Sequence, residues 1–243
     1  MDQTATTPKR SELQMARSMC WHCQSEVTGE YFCDRCVKVQ PLSKESDYFT
    51  CLGLPRLLSI DTADLERRFY DMSRAFHPDF YQVKTDAEQH ISLANSALLN
   101  VAYRTLKDPV QRAEYLVGLE SGSVKDIRSQ PPADLFEEIL SLQEDLDEYR
   151  AAKADTASGA AGLAPLREKL AADRLHLEER QQAMERQLQQ LFGQWDRAMA
   201  EAPKTESAHH HKQDTLKQLR ELLSNRRYLR SILADLADTL DAA

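Results

Sequence analysis

At 243 residues, 42% hydrophobic and 29% charged, the chain is long enough for one or two domains with a sizeable core. A formal net charge of −8 argues against a nucleic-acid partner, which calls for a basic stripe. No apolar run approaches the roughly 18 residues of a membrane span, and the scarcity of glycine beside abundant Ala, Leu, Glu, Gln and Arg is a helical composition.

Residues 1–18 are polar and read as disordered. MDQTATTPKRSELQMARSMC has no apolar h-region, so it does not read as a secretory signal. Asp2 and Glu12 argue against a mitochondrial presequence. The expected compartment is a reducing one: the bacterial cytoplasm first, the mitochondrial matrix as the alternative. There, cysteines more often bind metal than pair.

Four of the five cysteines fall within residues 19–40. Cys20-Trp-His-Cys23 and Cys33-Asp-Arg-Cys36 are two CxxC pairs separated by nine residues. Each pair sets two thiolates on one turn. Two such turns offer four sulfurs in a tetrahedron, suited to structural Zn²⁺ with Zn–S near ~2.3 Å and no open position for catalysis. So short a loop has little core, and metal binding would supply its folding free energy, roughly 10–16 kcal/mol in comparable small sites. The alternative is two redox or disulfide pairs, but no thioredoxin-like βαβ pattern surrounds either. His22 reads as a spacer and Cys51 as a core residue.

From about Asp47 to Leu119 the pattern is helical. YFTCLGL is a short apolar helix. Asp61 is a good N-cap for the next, and Asp64 sits in its first turn, where the helix dipole favours negative charge. Leu65, Phe69, Met72 and Phe76 recur at helical spacing and predict a buried stripe. Arg67, Arg68 and Arg74 fall off it, as a solvated basic face. Pro78 biases His77 away from helical backbone and stops the helix. A second helix is expected from about Thr85 to Lys107, with Ile91, Ala94, Leu98 and Ala102 as its apolar face and Ala94 and Ala97 allowing close approach. Pro109 opens PVQRAEYLVGL at the favoured first position. The simplest packing is an antiparallel hairpin with His77-Pro78-Asp79 at its exposed tip. A catalytic dyad would need a pocket and a third group to orient the histidine. A rigid polar tip beside a row of cations is a recognition surface for an acidic partner, and no catalytic residue is assigned.

SGSVKDIRSQPP, residues 121–132, reads as a linker, with Gly122 and Pro131-Pro132 as breakers. From Ala133 the chain is almost entirely helical, interrupted at 154–162 and 202–211. Leu135, Ile139, Leu142, Leu146 and Tyr149 form a core stripe. Phe136 and Leu140 lie about 100° to its side, in a four-residue row with Glu144 and Glu148. That row is either a widened core or a second face. A helix from about Ala164 to Ala200 turns Leu170, Leu177, Met184, Leu188, Leu191 and Trp195 inward. Another, from about Lys212 to Asp241, carries Leu219, Leu222, Arg226, Leu229, Leu233, Leu236 and Leu240 near one face. Three long helices with polar loops imply an antiparallel bundle. His209-His210-His211, in a polar linker without partner ligands, is assigned no site, and His176 reads as a surface residue. LEERQQAMERQLQQ reads as a solvated face with i,i+4 pairs, a coiled coil with another chain being the alternative.

DYFTCLGL, the His77-Pro78-Asp79 loop and DPVQRAEYLVGL together resemble the J-domain of the HscB family, J-type co-chaperones of iron–sulfur cluster assembly. The resemblance runs from about Asp47 to the C-terminus, and RAEYL is more specific than the tripeptide. The CWHC and YFCDRC knuckles resemble the extension found on animal mitochondrial members and some bacterial ones. HPDFY is closer to those zinc-bearing members than to J-domains in which Lys-Asx follows the tripeptide.

The resemblance implies an all-α, L-shaped, two-domain protein: a Cys₄ zinc module at 19–40, a J-domain at 46–120, a linker at 121–132 and a three-helix bundle at 133–243. It implies that His77, Pro78 and Asp79 dock on an HscA/DnaK-type chaperone and stimulate its ATPase, with Arg67, Arg68 and Arg74 steering. It places Phe136, Leu140, Glu144 and Glu148 on the face that holds an IscU-type scaffold protein, completed by Tyr228. Ser141 occupies a spot where the shorter bacterial form has an acid. The expected cofactor is structural Zn²⁺ on Cys20, Cys23, Cys33 and Cys36, with no nucleic acid, no membrane and no covalent chemistry. Three other readings stay open: a general J-protein for unfolded clients, a hydrolase using His77 and Asp79, and a zinc-bearing nucleic-acid adaptor. The last has only Arg35, Lys38 and Lys44 near the knuckles.

Overall fold

The structure, a computed structural model, describes residues 18–27, 31–42, 46–122, 127, 129–154, 163–201 and 206–241. The polar N-terminus apart from Ser18, part of the 121–132 linker, Lys44 and residues 155–162 lie outside the described residues. The fold is all-α. Among the described residues the exceptions are β1 (Ser18–Met19) and β2 (Glu26–Val27), which pair antiparallel with Ser18 opposite Val27, and one bridge between Phe32 and Val39. The chain divides into two compact units. The first takes the described residues up to Arg56 together with Ile60–Arg112; the second takes Leu57–Ser59 and the chain from Ala113.

The first unit holds β1, β2, α1 (Tyr48–Cys51), α2 (Thr62–Ala75), a 3₁₀ turn (Pro78–Tyr81) and α3 (Asp86–Lys107), and α4 (Pro109–Ser121) begins in it. Asp47 caps α1, accepting from the Thr50 N–H at 2.9 Å, and Arg56 reaches the same carboxylate at 2.7 Å. Asp61 caps α2 as expected, accepting from the Ala63 N–H. α3 opens on a reciprocal capping box between Thr85 and Glu88. Gly53 turns the chain after α1 with φ +66°, where a side chain is strained.

Contacts between α2 and α3 fix their direction. Phe69 stacks on Tyr103, with centroids 4.1 Å apart, and the Phe76 carbonyl accepts from Ser92 and Ser96. Numbers rising along one helix meet numbers falling along the other, so the pair is antiparallel, as expected. Leu65, Met72 and Phe76 are buried, and Phe69 is half-buried.

The apolar face expected on α3 holds in part: Ala102 is buried, and Ile91 and Leu98 are half-buried. Ala94 and Ala97 are exposed; the buried row is Glu88, Ser92, Asn95, Leu99, Ala102 and Leu106. The first half of that row is polar, and each member has a partner. Lys38 reaches Glu88 at 2.9 Å, Ser92 donates to the Phe76 carbonyl at 2.7 Å, and Asn95 donates to the Gln40 carbonyl at 2.9 Å. Burial with satisfied hydrogen bonds leaves no apolar period to detect.

The second unit contains the rest of α4, a 3₁₀ turn (Ala133–Leu135), α5 (Phe136–Ala154), α6 (Leu163–Glu201) and α7 (Glu206–Asp241). Asp134 pairs with Arg180, His176 lies 3.9 Å from Glu138, and Lys169 lies 2.6 Å from Asp145, so α5 and α6 are antiparallel. Arg226 meets Glu185 at 2.7 Å and Lys212 lies over the Trp195 ring, so α6 and α7 are antiparallel too. Every core residue expected on α5 and α6 is buried. On α7, Leu219, Leu222, Leu229, Leu236 and Leu240 are buried, while Arg226 and Leu233 are half-buried.

α7 begins at Glu206, six residues before the expected start, and His209–His211 lie within the helix instead of in a linker. The segment is polar but holds no Gly or Pro between Glu206 and Lys212, and polarity alone does not break a helix. Among the described residues no helix is long and apolar enough to cross a membrane.

Candidate functional site

The two cysteine loops are built alike. The Cys20 N–H donates to the Ser25 carbonyl at 2.8 Å and the Gln24 N–H to the Cys20 carbonyl at 3.1 Å. In the second loop the Cys33 N–H donates to Lys38 at 2.9 Å and the Val37 N–H to Cys33 at 2.8 Å. Gln24 and Val37, each just after the second cysteine of its pair, adopt φ of 58° and 57°. That left-handed backbone costs roughly 1–2 kcal/mol for a residue with a Cβ. Its recurrence at the same place in both loops marks it as part of the turn that aims N–H groups at sulfur. Cys20 Sγ accepts from the His22 and Cys23 N–H groups at 3.4 and 3.5 Å.

The four Sγ atoms lie within 4.8 Å of one another, with Cys20–Cys36 and Cys23–Cys33 each at 3.6 Å. A tetrahedron with metal–sulfur bonds of ~2.3 Å has edges of about 3.8 Å, so the spacing fits a metal ion. These separations exceed the ~2.05 Å of a disulfide, and the 3.6 Å pairs join one CxxC loop to the other. Side chains support the sulfurs: Ser25 Oγ lies 2.9 Å from Cys23 Sγ and 3.3 Å from Cys33 Sγ, and Gln40 Nε2 donates to Cys20 Sγ at 3.4 Å. The Ser25 hydrogen bond, followed by the Cys36 backbone N–H, lowers the Cys33 thiol to about 6. Burial pushes Cys36 up to about 12; a cation coordinated by such a thiol deprotonates it outright. His22 is exposed and lies outside the four-cysteine group, and Cys51 is buried in the core, both as expected.

His77 is extended, with φ −60° and ψ 124°, as a residue before proline should be. It caps the 3₁₀ turn: its Nδ1 accepts from the Asp79 N–H at 3.4 Å and its carbonyl from the Phe80 N–H at 3.0 Å. His77 Nδ1 and Asp79 Oδ2 are 3.5 Å apart, but the two side chains are 53% and 70% exposed. Among the described residues the pair stands open to solvent, whereas a catalytic dyad works within a pocket. Buried anchors flank the corner. Phe76 is fully buried with its carbonyl held by Ser92 at 2.7 Å and Ser96 at 2.8 Å, and Tyr81 is buried with its hydroxyl donating to the Ala75 carbonyl at 2.9 Å.

The three arginines are not equivalent. Arg67 is exposed and Arg68 half-buried, and both bond Asp64, Arg68 at 2.7 Å. Arg68 also donates to the Gly53 carbonyl at 3.0 Å, so its charge serves the fold. Arg74 is exposed in the last turn of α2, where the helix dipole favours a cation. Tyr70 and Phe80, 53% and 65% exposed, join this surface. Sequence reading missed both, although Arg67, Tyr70 and Arg74 share one helical row.

In the second unit, Phe136 and Leu140 are 55% and 50% exposed while Leu135, Ile139 and Leu142 beside them are buried. The row is thus a separate face and not a widened core. Glu144, Glu148 and Ser141 are exposed along α5, and Tyr228 is half-buried on α7.

No protein-family profile matches the chain. It is 32% identical over 134 residues to the iron–sulfur cluster co-chaperone protein HscB of Mus musculus, covering 52% of this chain and 56% of that protein. It is 37% identical over 103 residues to the co-chaperone protein HscB of Proteus mirabilis, covering 42% and 60%. The matches thus span little more than half the length of these curated relatives. The crystal structure of human co-chaperone protein HscB superposes with a TM-score of 0.61 at 23% identity, over 90% of this chain and 96% of that one. HscB from Vibrio cholerae superposes with a TM-score of 0.50 at 22% identity, over 81% and 99%. The chain's sequence relatives are HscB co-chaperones and its fold is that of solved HscB structures, which bears out the family resemblance carried by DYFTCLGL, His77-Pro78-Asp79 and DPVQRAEYLVGL.

Proposed function

We propose that this protein is a J-type co-chaperone that holds an IscU-type iron–sulfur scaffold protein, delivers it to an HscA/DnaK-type chaperone and stimulates that chaperone's ATPase. The observation that carries this reading is the exposed His77-Pro78-Asp79 corner, clamped between the buried anchors Phe76 and Tyr81. A polar tip held rigid loses little conformational freedom on docking, which favours recognition. Arg67 and Arg74 supply positive charge on the adjoining helix and speed encounter with an acidic partner. We assign the first unit's helices and α4 to a J-domain and the bundle to scaffold binding. Phe136 and Leu140, rimmed by Glu144 and Glu148, give an apolar centre with a charged edge, and Tyr228 adds an aromatic anchor. Two surfaces on one chain raise the effective concentration of scaffold at the chaperone.

The cysteine cluster would hold one Zn²⁺ through Cys20, Cys23, Cys33 and Cys36. The ion supplies folding free energy to a segment with little core. Thiolate ligation suits a reducing compartment; we place the protein in a bacterial cytoplasm, with the mitochondrial matrix as the alternative. The protein itself makes and breaks no covalent bond.

The test is steady-state ATP turnover by an HscA-type chaperone with this protein, an IscU-type scaffold, both or neither. Synergy between the two supports the reading. Equal synergy with a denatured client in place of the scaffold would move the protein to the general J-protein class.

A further inference from the structure

Between the cysteine loops and the His-Pro-Asp corner runs a continuous set of contacts that the proposed chaperone reading does not use. Tyr31, two residues before Cys33, sets its ring edge-on against Phe76, with centroids 5.3 Å apart and planes at 86°. Its hydroxyl donates to Met72 Sδ at 3.3 Å. Phe76 is the residue immediately before His77, and its side chain is fully buried.

A second connection runs through α3. Gln40 Nε2 donates to Cys20 Sγ, while the Gln40 carbonyl accepts from Asn95 Nδ2 at 2.9 Å. Asn95 Oδ1 accepts from the Leu42 N–H, also at 2.9 Å. Asn95 lies between Ser92 and Ser96, the two residues that hold the Phe76 carbonyl. Lys38, two residues after Cys36, pairs with Glu88 on the same helix. All of these residues belong to one compact unit. The segment that carries them, Tyr31–Leu42, has little regular structure of its own and spans the second CxxC loop.

We infer that the cysteine module is a positioning element for the chaperone-facing corner, acting through Tyr31 on Phe76 and through Asn95 on the helix that holds the Phe76 carbonyl. Cys33 and Cys36, which would ligate the ion, anchor the segment Tyr31–Leu42; that segment seats Phe76; and Phe76 sets the backbone from which His77 projects. The functional part rests on the reading of that corner as the chaperone contact, while the mechanical part stands without it. Preorganisation by an outer layer of support is what separates a well-held recognition group from a loose one.

The experiment uses the full-length, zinc-loaded protein. Amide hydrogen exchange is followed at Phe76, His77 and Phe80 in wild type, Tyr31→Ala, Tyr31→Phe and Asn95→Ala. The concentration for half-maximal ATPase stimulation is measured alongside. Tyr31→Ala speeds exchange at the corner by about three- to tenfold, as loss of an edge-to-face pair predicts. It raises the half-maximal concentration by a like factor and leaves the maximal rate unchanged, and Tyr31→Phe restores both. Asn95→Ala, which removes no cysteine and no Tyr31 contact, acts in the same direction; metal content measured in both variants covers the case in which either loses its ion. Stripping the ion with a chelator speeds exchange at least as much as Tyr31→Ala. Unchanged corner exchange in Tyr31→Ala, Asn95→Ala and the stripped protein overturns the inference. A wild-type protein that fails to stimulate ATP turnover defeats the chaperone reading instead, and the exchange data still decide whether the module braces the corner.

Discussion

Lys38 Nζ stands 2.9 Å from Glu88 Oε2, and the Glu88 side chain is only 6% exposed. The pair ties the second cysteine loop to the first turn of α3, and the same carboxylate oxygen accepts from the Thr85 hydroxyl at 2.8 Å. The Lys38 hydrogen bond holds the Glu88 carboxyl below the usual carboxylate range against the opposing pull of burial. A depressed carboxyl contributes stability above its unfolded value, near ~4.3, and loses it as pH falls through the lower folded value. Thermal melts from pH 6 to pH 3 are therefore expected to fall more steeply for wild type than for Glu88→Gln. At pH 7 Glu88→Gln costs about 1–2 kcal/mol, less than a fully buried pair because Lys38 keeps 28% of its side chain in water. Parallel melting curves for the two proteins across that range would remove the pair from the account.

Arg68 and Arg74 are expected to separate stability from recognition. Arg68→Ala removes the bonds to Asp64 and the Gly53 carbonyl and should lower stability by about 1 kcal/mol. Arg74→Glu should cost only the helix-dipole preference, roughly 0.3–1 kcal/mol, and slow association with the chaperone in a salt-dependent way. Stopped-flow association at two ionic strengths, beside thermal melts, checks both. An Arg74→Glu variant that binds at the wild-type rate in low salt contradicts the steering role.

The metal centre predicts about one zinc per chain in protein purified under reducing conditions. Chelation should unfold the segment from Cys20 to Gln40 while far-ultraviolet helicity from the bundle persists, because α5, α6 and α7 contribute no cysteine. Metal analysis near zero, with the loops folded by NMR, would reject the centre.

The apolar row on α5 predicts that Phe136→Ala combined with Tyr228→Ala weakens scaffold binding by ~2 kcal/mol or more, a hot-spot loss. Phe136 is 55% exposed in the free protein, so truncating it leaves little cavity. Isothermal calorimetry with an IscU-type scaffold, with melting temperature as the control for folding, measures this. Native affinity in the double variant points to another face.

The elements that were legible in the sequence are those whose signal is chemical or strongly periodic. The four cysteines, the cap at Asp61, the stop at Pro78 and the α6 core from Leu170 to Trp195 follow from residue type and spacing alone. The buried face of α3 was not legible, because Glu88, Ser92 and Asn95 are buried for the hydrogen bonds they make to distant partners. No local pattern announces a partner 50 or 55 residues away. The start of α7 was misread for a different reason: three consecutive histidines look like a polar loop, although nothing in them forbids a helix. The division of labour among the arginines was hidden as well, since only the fold brings the Gly53 carbonyl to Arg68.

The central claim is that the exposed corner acts by being recognised. Its most direct test is the steady-state ATPase rate of an HscA-type chaperone at saturating Asp79→Asn protein. The Asp79 side chain is 70% exposed and within 3.5 Å of His77, so the substitution spares the fold. The account predicts an unaltered melting curve and scaffold affinity, with stimulation abolished. Full stimulation by a correctly folded Asp79→Asn variant would contradict it.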